Sequence, residues 1–371
     1  MWRKQDDIQR MLRDSAGEFL AAEHSTDRFR ERRSGDGTAD LTMWAKMAEQ
    51  GWTGILLSEE SGGLGLGLDP ALTLAEVLGA GLLNEPFVAS AIMAATILDE
   101  VGAHPLTDAM VAGTTLILPA FQEKLNDWGQ GTVTTKLSVS GEGYVLNGAK
   151  IFVSNWHPEA TLLVTATLNS ELVVVAVPAK ALGATDIAKT ADGAAVASTR
   201  FENIPLAKAD ILLRGEAAER AVLRANQRGI LGICAQSEGL AKAMFDMTVE
   251  YIRQRAQFGQ TLSSFQALRH AMVNLHIEIE LASASWRRAA DLLVAGNRQA
   301  AQAISMAKAR TGCAVTGMGK ASVQYHGAFG YTEDADVGLY VNTSLRLASW
   351  LGNAASHRDA AIAMHLEAND A

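Results

Sequence analysis

The chain has 371 residues, 48% hydrophobic and 20% charged. That is an ordinary globular composition with room for roughly two to three domains of about 150 residues, and it excludes a disordered, low-complexity or disulfide-dependent chain. Lys and Arg total 32 against 41 Asp and Glu, a net charge of -9, which argues against nucleic acid or an anionic membrane as the main partner.

Ile8, Met11, Leu12, Phe19 and Leu20 recur at helical spacing and predict an amphipathic first helix. A second helix carries Met43, Trp44 and Met47 and stops near Gly51, ahead of a glycine-rich stretch from Ser61 to Asp69. Asp69 and Pro70 read as the N-cap and first residue of a further helix through Leu78. Residues 1–112 are expected to form a helical domain. From 113 to 212 the text changes to short β-branched runs, among them Ile151 to Ser154, Thr161 to Thr167 and Leu172 to Val177, and predicts a small β-domain. Asn147-Gly148 reads as a hairpin turn. No proline follows Pro205. Proline costs about 3 kcal/mol inside a helix, so residues 213–371 predict a bundle, with helices over roughly 216–254, 264–295, 298–325 and 336–367. Ser263-Ser264 is placed to cap the second of these. The fold class is mainly α with a central β-domain. Cys234 and Cys313 lie in apolar text without metal-type spacing and read as buried thiols in a reducing, cytoplasmic setting. No metal site is expected, and no apolar run reaches the roughly 18 residues of a membrane span.

Two stretches carry more than helix text: Tyr251-Ile252-Arg253-Gln254-Arg255-Ala256-Gln257-Phe258-Gly259, followed by Phe265-Gln266, and Gln324-Tyr325-His326-Gly327-Ala328-Phe329-Gly330-Tyr331-Thr332. Both resemble signature turns of the acyl-CoA dehydrogenase family. Glu59 to Gly65 is similar to that family's acidic, glycine-rich loop, Leu146 to Asn155 to its central hairpin, and Phe201 to Pro205 to its exit from the β-domain. The resemblance implies a helical domain, a β-barrel-like domain and a C-terminal four-helix bundle. It implies FAD, an acyl-CoA substrate dehydrogenated to a 2-enoyl-CoA, and an electron acceptor such as an electron-transfer flavoprotein. It further implies that Arg255, Phe258, Gln266, Gln324, Gly327 and Gly330 reach the adenine and pyrophosphate part of FAD held mainly by a neighbouring subunit, and that Phe152 and Ser154 flank the isoalloxazine of the chain's own FAD. An always-charged, planar guanidinium suits pyrophosphate oxygens.

The family's base is a glutamate, and at its two usual places this sequence has Leu351 and Gly229. Neither can take a proton. The family's Thr-Glu-Pro-Gly-Ala-Gly-Ser-Asp loop is replaced at 118–126 by a stretch without its phosphate-friendly glycines. These losses resemble the small subunits of heteromeric pimeloyl-CoA and steroid side-chain dehydrogenases. A homologous partner subunit that supplies the base is therefore expected. The alternatives are a self-sufficient homotetramer with a displaced carboxylate, or a non-catalytic scaffold subunit. Glu219, Glu238 and Asp246 read as surface charges and His326 as a packing residue.

Overall fold

The computed structural model describes residues 7–125, 127–183 and 185–370. Asn126, the last residue of the altered loop, lies outside the described residues. The chain divides into two compact units. One comprises Met1–Glu31, Leu72–Leu83 and Ile230–Ala371, the other Arg32–Ala71 and Asn84–Gly229.

The first unit is helical. It contains α1 (Asp7–Glu23), most of α4 (Leu68–Ala80), the greater part of α7 (Gly215–Gln254), α8 (Gln266–Val294), α9 (Ala300–His326), α10 (Val337–Ser349) and α11 (Ala354–Asp370). Leu72, Leu78, Leu240, Met244, Ile279, Trp286, Val315, Met318 and Leu347 fill its core. Helix α1 buries only Ala16 and Phe19, while Ile8 and Met11 are exposed, so its apolar face is narrower than its spacing predicts. Helix α4 begins at Leu68, which puts Asp69 in the first turn and not at the N-cap. Ser264 does not cap α8 either: its hydroxyl donates to the Thr261 carbonyl, and α8 starts after Phe265 without a side-chain cap. The last expected helix is two, because the backbone turns left-handed at Leu351 (φ 53°) and Gly352 (φ 99°). Cys234 is buried, but Cys313 is exposed on α9, correcting the expectation of two buried thiols.

The second unit is built on an eight-stranded sheet. Its strands are β1 (Ile117–Ala120), β2 (Lys136–Ser140), β3 (Gly143–Ser154), β4 (Thr161–Leu168), β5 (Glu171–Pro178), β6 (Thr185–Lys189), β7 (Ala195–Leu206) and β8 (Ile211–Arg214). They run in the order β6-β7-β3-β2-β4-β5-β8, with β1 parallel to β4. Near-continuous apolar burial in β4 and β5 places the unit's core there. Helices α3 (Leu41–Glu49), α5 (Ala95–Val101) and α6 (Pro105–Val111) belong to this unit. Asp40 caps α3, accepting from the Thr42 and Met43 amides. A fully buried π-helical segment, Phe87–Ala94, leads into α5.

Asn147-Gly148 is not a hairpin turn. Strand β3 runs straight through it, and the β2–β3 turn lies at Ser140 to Gly143. The dipeptide forms a bulge against β7, where Asn147 Oδ1 accepts from the Asn203 amide at 2.9 Å. A Cβ on Gly148 would lie 2.7 Å from the Thr135 Cα, so close backbone approach explains that glycine. Among the described residues, no helix is long and apolar enough to cross a membrane and no group of three or more His, Cys, Asp or Glu could hold a metal ion.

Candidate functional site

On the helical unit the two signature turns come together. Tyr251, one turn before Arg255 on α7, stacks on His326 (centroids 4.3 Å apart) and lies parallel to Phe329 at 6.3 Å. Its hydroxyl donates to the His326 carbonyl at 3.2 Å. His326 is buried, with Nδ1 2.8 Å from the Ser322 carbonyl, and so packs the glycine turn as expected. The junction leaves Arg255, Phe258, Gln266, Gln324 and Gly327 at the surface, while Gly330 is buried beneath. Phe258 is 92% exposed at φ 54°, with its ring edge-on to Phe265. The apolar side chain is thus held outward by a backbone conformation that is costly to a bulky residue. No ion pair or hydrogen bond engages the Arg255 guanidinium among the described residues.

On the sheet unit, Phe152 and Ser154 end β3. Phe152 sits in the bulge between Lys150 and Val153 at φ 55° and is 45% exposed, so it is not core. Ser154 is half-buried, its hydroxyl donating to Asn155 Oδ1 at 3.0 Å, and Asn155 Nδ2 donates to the Asn84 carbonyl. Beneath the bulge lies a pair that sequence reasoning missed. Lys150, fully buried, donates to Glu123 Oε1 at 2.7 Å, to Thr165 Oγ1 at 2.8 Å and to the Phe121 carbonyl at 3.3 Å. Glu123 also accepts from the Thr134 amide and hydroxyl and from the Thr135 amide. Burial alone would raise the Glu123 pKa, but the bonds from Lys150 and Thr134 outweigh it and hold the carboxyl down at about 2. Burial pushes the Lys150 ammonium down to about 8 against the opposing pull of Glu123. Nearby, Asp127 accepts from the Lys124 and Gly129 amides. The backbone donors that a glycine loop would offer an anionic ligand are thus engaged by the chain's own carboxylates.

Neither of the positions where the resemblance leads one to expect a base holds a carboxylate. Gly229 is buried in α7. Leu351 is 8% exposed, and His357 Nε2 donates to its carbonyl at 2.8 Å. A carbonyl only accepts, so Nε2 carries the proton and Nδ1 faces the Ser305 hydroxyl at 3.3 Å as an acceptor. Burial lowers the His357 pKa to about 4, which keeps the imidazole neutral. Lys308 completes the turn, donating to the Leu347 and Ala348 carbonyls at the end of α10. Glu219 and Asp246 are exposed, as read. Glu238 is not a surface charge: it is 1% exposed, accepting from Trp286 Nε1 at 2.5 Å and pairing with Lys242 at 2.6 Å. Glu76 shares that cluster with Arg13, Lys242 and Arg287, and its pKa is held at about 2 although burial opposes this. Glu238 is therefore tied into a buried structural cluster.

The chain matches the family model "Acyl-CoA dehydrogenase, N-terminal domain" over residues 6–109 and "Acyl-CoA dehydrogenase, C-terminal domain" over 220–366, together more than half its length. It is 28% identical to acyl-CoA dehydrogenase FadE12 of Mycobacterium tuberculosis over 322 residues, covering 82% of each protein. The ChsE4-ChsE5 complex from Mycobacterium tuberculosis shares the fold, with a TM-score of 0.86 over 99% of both chains at 21% identity. So does a glutaryl-CoA dehydrogenase from Mycobacterium smegmatis solved in complex with FADH2, with a TM-score of 0.82, 17% identity and 95% and 93% coverage. The chain belongs to the acyl-CoA dehydrogenase family, whose members are FAD-dependent oxidoreductases.

Proposed function

We propose that this chain is the base-less subunit of a heteromeric acyl-CoA dehydrogenase, contributing FAD contacts while a homologous subunit supplies the glutamate that removes the substrate's α-proton. One contrast carries this reading. Both base positions are closed, Leu351 by a turn fixed from both sides and Gly229 inside a helix, whereas Arg255, Phe258 and Gln324 stand exposed.

The residues present fit FAD. Among the described residues the Arg255 guanidinium and the Gln266 and Gln324 carboxamides have no partner, and such exposed donors suit an anionic dinucleotide. The half-exposed ring of Phe152 suits a planar heterocycle. FAD, when bound, supplies the acceptor for the substrate's β-hydride. Arg255 would hold the pyrophosphate of an FAD bound mainly by the neighbouring subunit through charge-assisted hydrogen bonds and Phe258 would shield it from water, while Phe152 and Ser154 would orient the ring system of the chain's own FAD. The loop at 118–126 offers no comparable grip on the CoA arm, which favours substrate binding through the partner. The acceptor of the electrons would be of the electron-transfer flavoprotein class.

The test is co-expression with the homologous chain produced alongside it. The heteromer should be yellow and oxidise an acyl-CoA, and replacing the partner's glutamate should abolish turnover. Arg255→Gln in this chain should weaken FAD binding by about 10- to 100-fold, the value of a charged hydrogen bond of about 1.5–3 kcal/mol. A single chain that purifies flavin-replete and turns over an acyl-CoA rapidly would overturn the proposal.

A further inference from the structure

The Lys150–Glu123 pair lies beneath the β3 bulge of the second unit and, among the described ion pairs of that unit, is the most completely enclosed, its side chains 0% and 5% exposed. Enclosed pairs contribute little net stability, because desolvating two charges offsets most of their attraction. Their better-attested use is to fix one geometry. Here that geometry is specific. Strand β3 loses register with β7 between Lys150 and Val153. Across the same residues it is attached to the loop after β1: the Ile151 amide donates to the Gln122 carbonyl at 2.8 Å, and Lys150 Nζ to the Phe121 carbonyl. Glu123, the next residue of that loop, ties it onward to Thr134 and Thr135 at the start of β2. Three segments therefore converge on one ammonium. Directly after it, Phe152 adopts a left-handed conformation that costs a bulky residue of order 1–3 kcal/mol and turns its ring outward. Strain of this kind persists only where the surroundings over-determine it, and within the bulge the convergence on Lys150 is the over-determining feature.

We propose that Lys150 and Glu123 are positioning residues, which hold the β3 bulge open and so aim the Phe152 ring outward for stacking against a flavin. Neither touches the ligand. They act through the backbone of 150–152, with the Thr165 hydroxyl completing the shell around the ammonium. The flavin part of this inference rests on the reading of Phe152 given above; the positioning part does not.

The two parts separate by 19F NMR of the chain labelled with 4-fluorophenylalanine, the Phe152 resonance being the one of ten that Phe152→Leu removes. Glu123→Gln keeps the shape and deletes the charge, and Lys150→Met deletes the ammonium. Both should displace the Phe152 resonance while leaving the resonances of distant phenylalanines in place, and both should speed hydrogen exchange of the Ile151 amide at least tenfold. Added FAD should shift Phe152 in the parent chain and shift it less in the variants. Should Lys150→Met fail to fold, Glu123→Gln decides alone. An unmoved Phe152 resonance and an unchanged Ile151 amide in a folded Glu123→Gln chain would overturn the positioning role. Displacement by Glu123→Gln together with no response of the parent chain to FAD would keep the positioning role and reject the flavin contact.

Discussion

Leu351, at one of the two positions where a base was expected, sits in a turn that His357 helps to fix. A leucine at φ 53° is an unfavourable choice, since Gly or Asn occupies that region without penalty. It is maintained by the His357 bond to its carbonyl and by Lys308 at the preceding carbonyls. The arrangement has a pH signature. The imidazole pKa is about 4 in the folded chain against 6.5 for a free imidazole. Between those values the unfolded chain takes up a proton that the native state refuses, so stability is full above pH 6.5 and declines as pH falls toward 4, by at most about 1.4 kcal/mol per unit. His157, also lowered by burial, adds a contribution of the same sign. Urea unfolding at about pH 7 and about pH 5 should show the decline, and His357→Gln should flatten the part due to this residue. An identical slope in His357→Gln would show that the buried imidazole is not the sensor. What the sequence conveyed at the motif turns was their surface placement: Arg255, Phe258 and Gln324 are exposed. The Glu123–Lys150 pair was not legible: the two lie 27 residues apart in sequence and meet only across folded strands.

Helix packing in the first unit depends on the absence of side chains at one crossing. A Cβ on Gly239 of α7 would lie 1.9 Å from the Glu76 carbonyl of α4, and one on Gly79 of α4 would lie 2.1 Å from the Gln236 carbonyl. Backbone cannot yield there as a flexible side chain would. The same crossing aligns Glu76 and Glu238 with Arg13, Lys242 and Arg287, so separating the helices would also disturb a buried charge cluster. Gly239→Ala should therefore cost about 3 kcal/mol or more. Gly317→Ala, in α9 with open space around its Cβ, should raise stability by up to about 1 kcal/mol through helix propensity. Urea midpoints of the two variants should move in opposite directions; a Gly239→Ala chain as stable as the parent would refute the close-crossing argument. At this scale the sequence conveyed helix and strand text well, and turns less well. Asn147-Gly148 has the composition of a hairpin turn, but β2 and β7 both pair across it and tertiary register overrides local preference. At Ser263-Ser264 the cause is local: the Ser264 hydroxyl is used within the turn, on the Thr261 carbonyl. The break between α10 and α11 escaped notice because a leucine, not a glycine alone, takes the left-handed turn.

The helical unit retains apolar surface that its own core does not use. Val273, Ile277 and Leu281 recur every four residues along α8, each 45–56% exposed, and therefore form one stripe. Between α8, α9 and α11 lies a groove of about 660 Å³ lined by Met306, Ala309, Cys313, Ala361 and Ile362 together with the charged Glu278, Arg310 and Arg358. Contiguous apolar surface of this kind marks an interaction face, and charged residues around it confer partner choice more than affinity. The proposed heteromer would need such a face. The net charge of -9 opposes non-specific self-association, which leaves the stripe as the attractive element. Ile277→Glu places a carboxylate at the centre of the stripe, where burial against a partner would cost several kcal/mol unless a cation met it. Because Ile277 is 47% exposed within the chain, the variant should fold with the parent's circular dichroism and thermal midpoint. Light scattering after size-exclusion chromatography should then show loss of the co-expressed complex. A complex of unchanged mass and stability would mean that α8 faces solvent in the assembly, and that the subunits meet elsewhere.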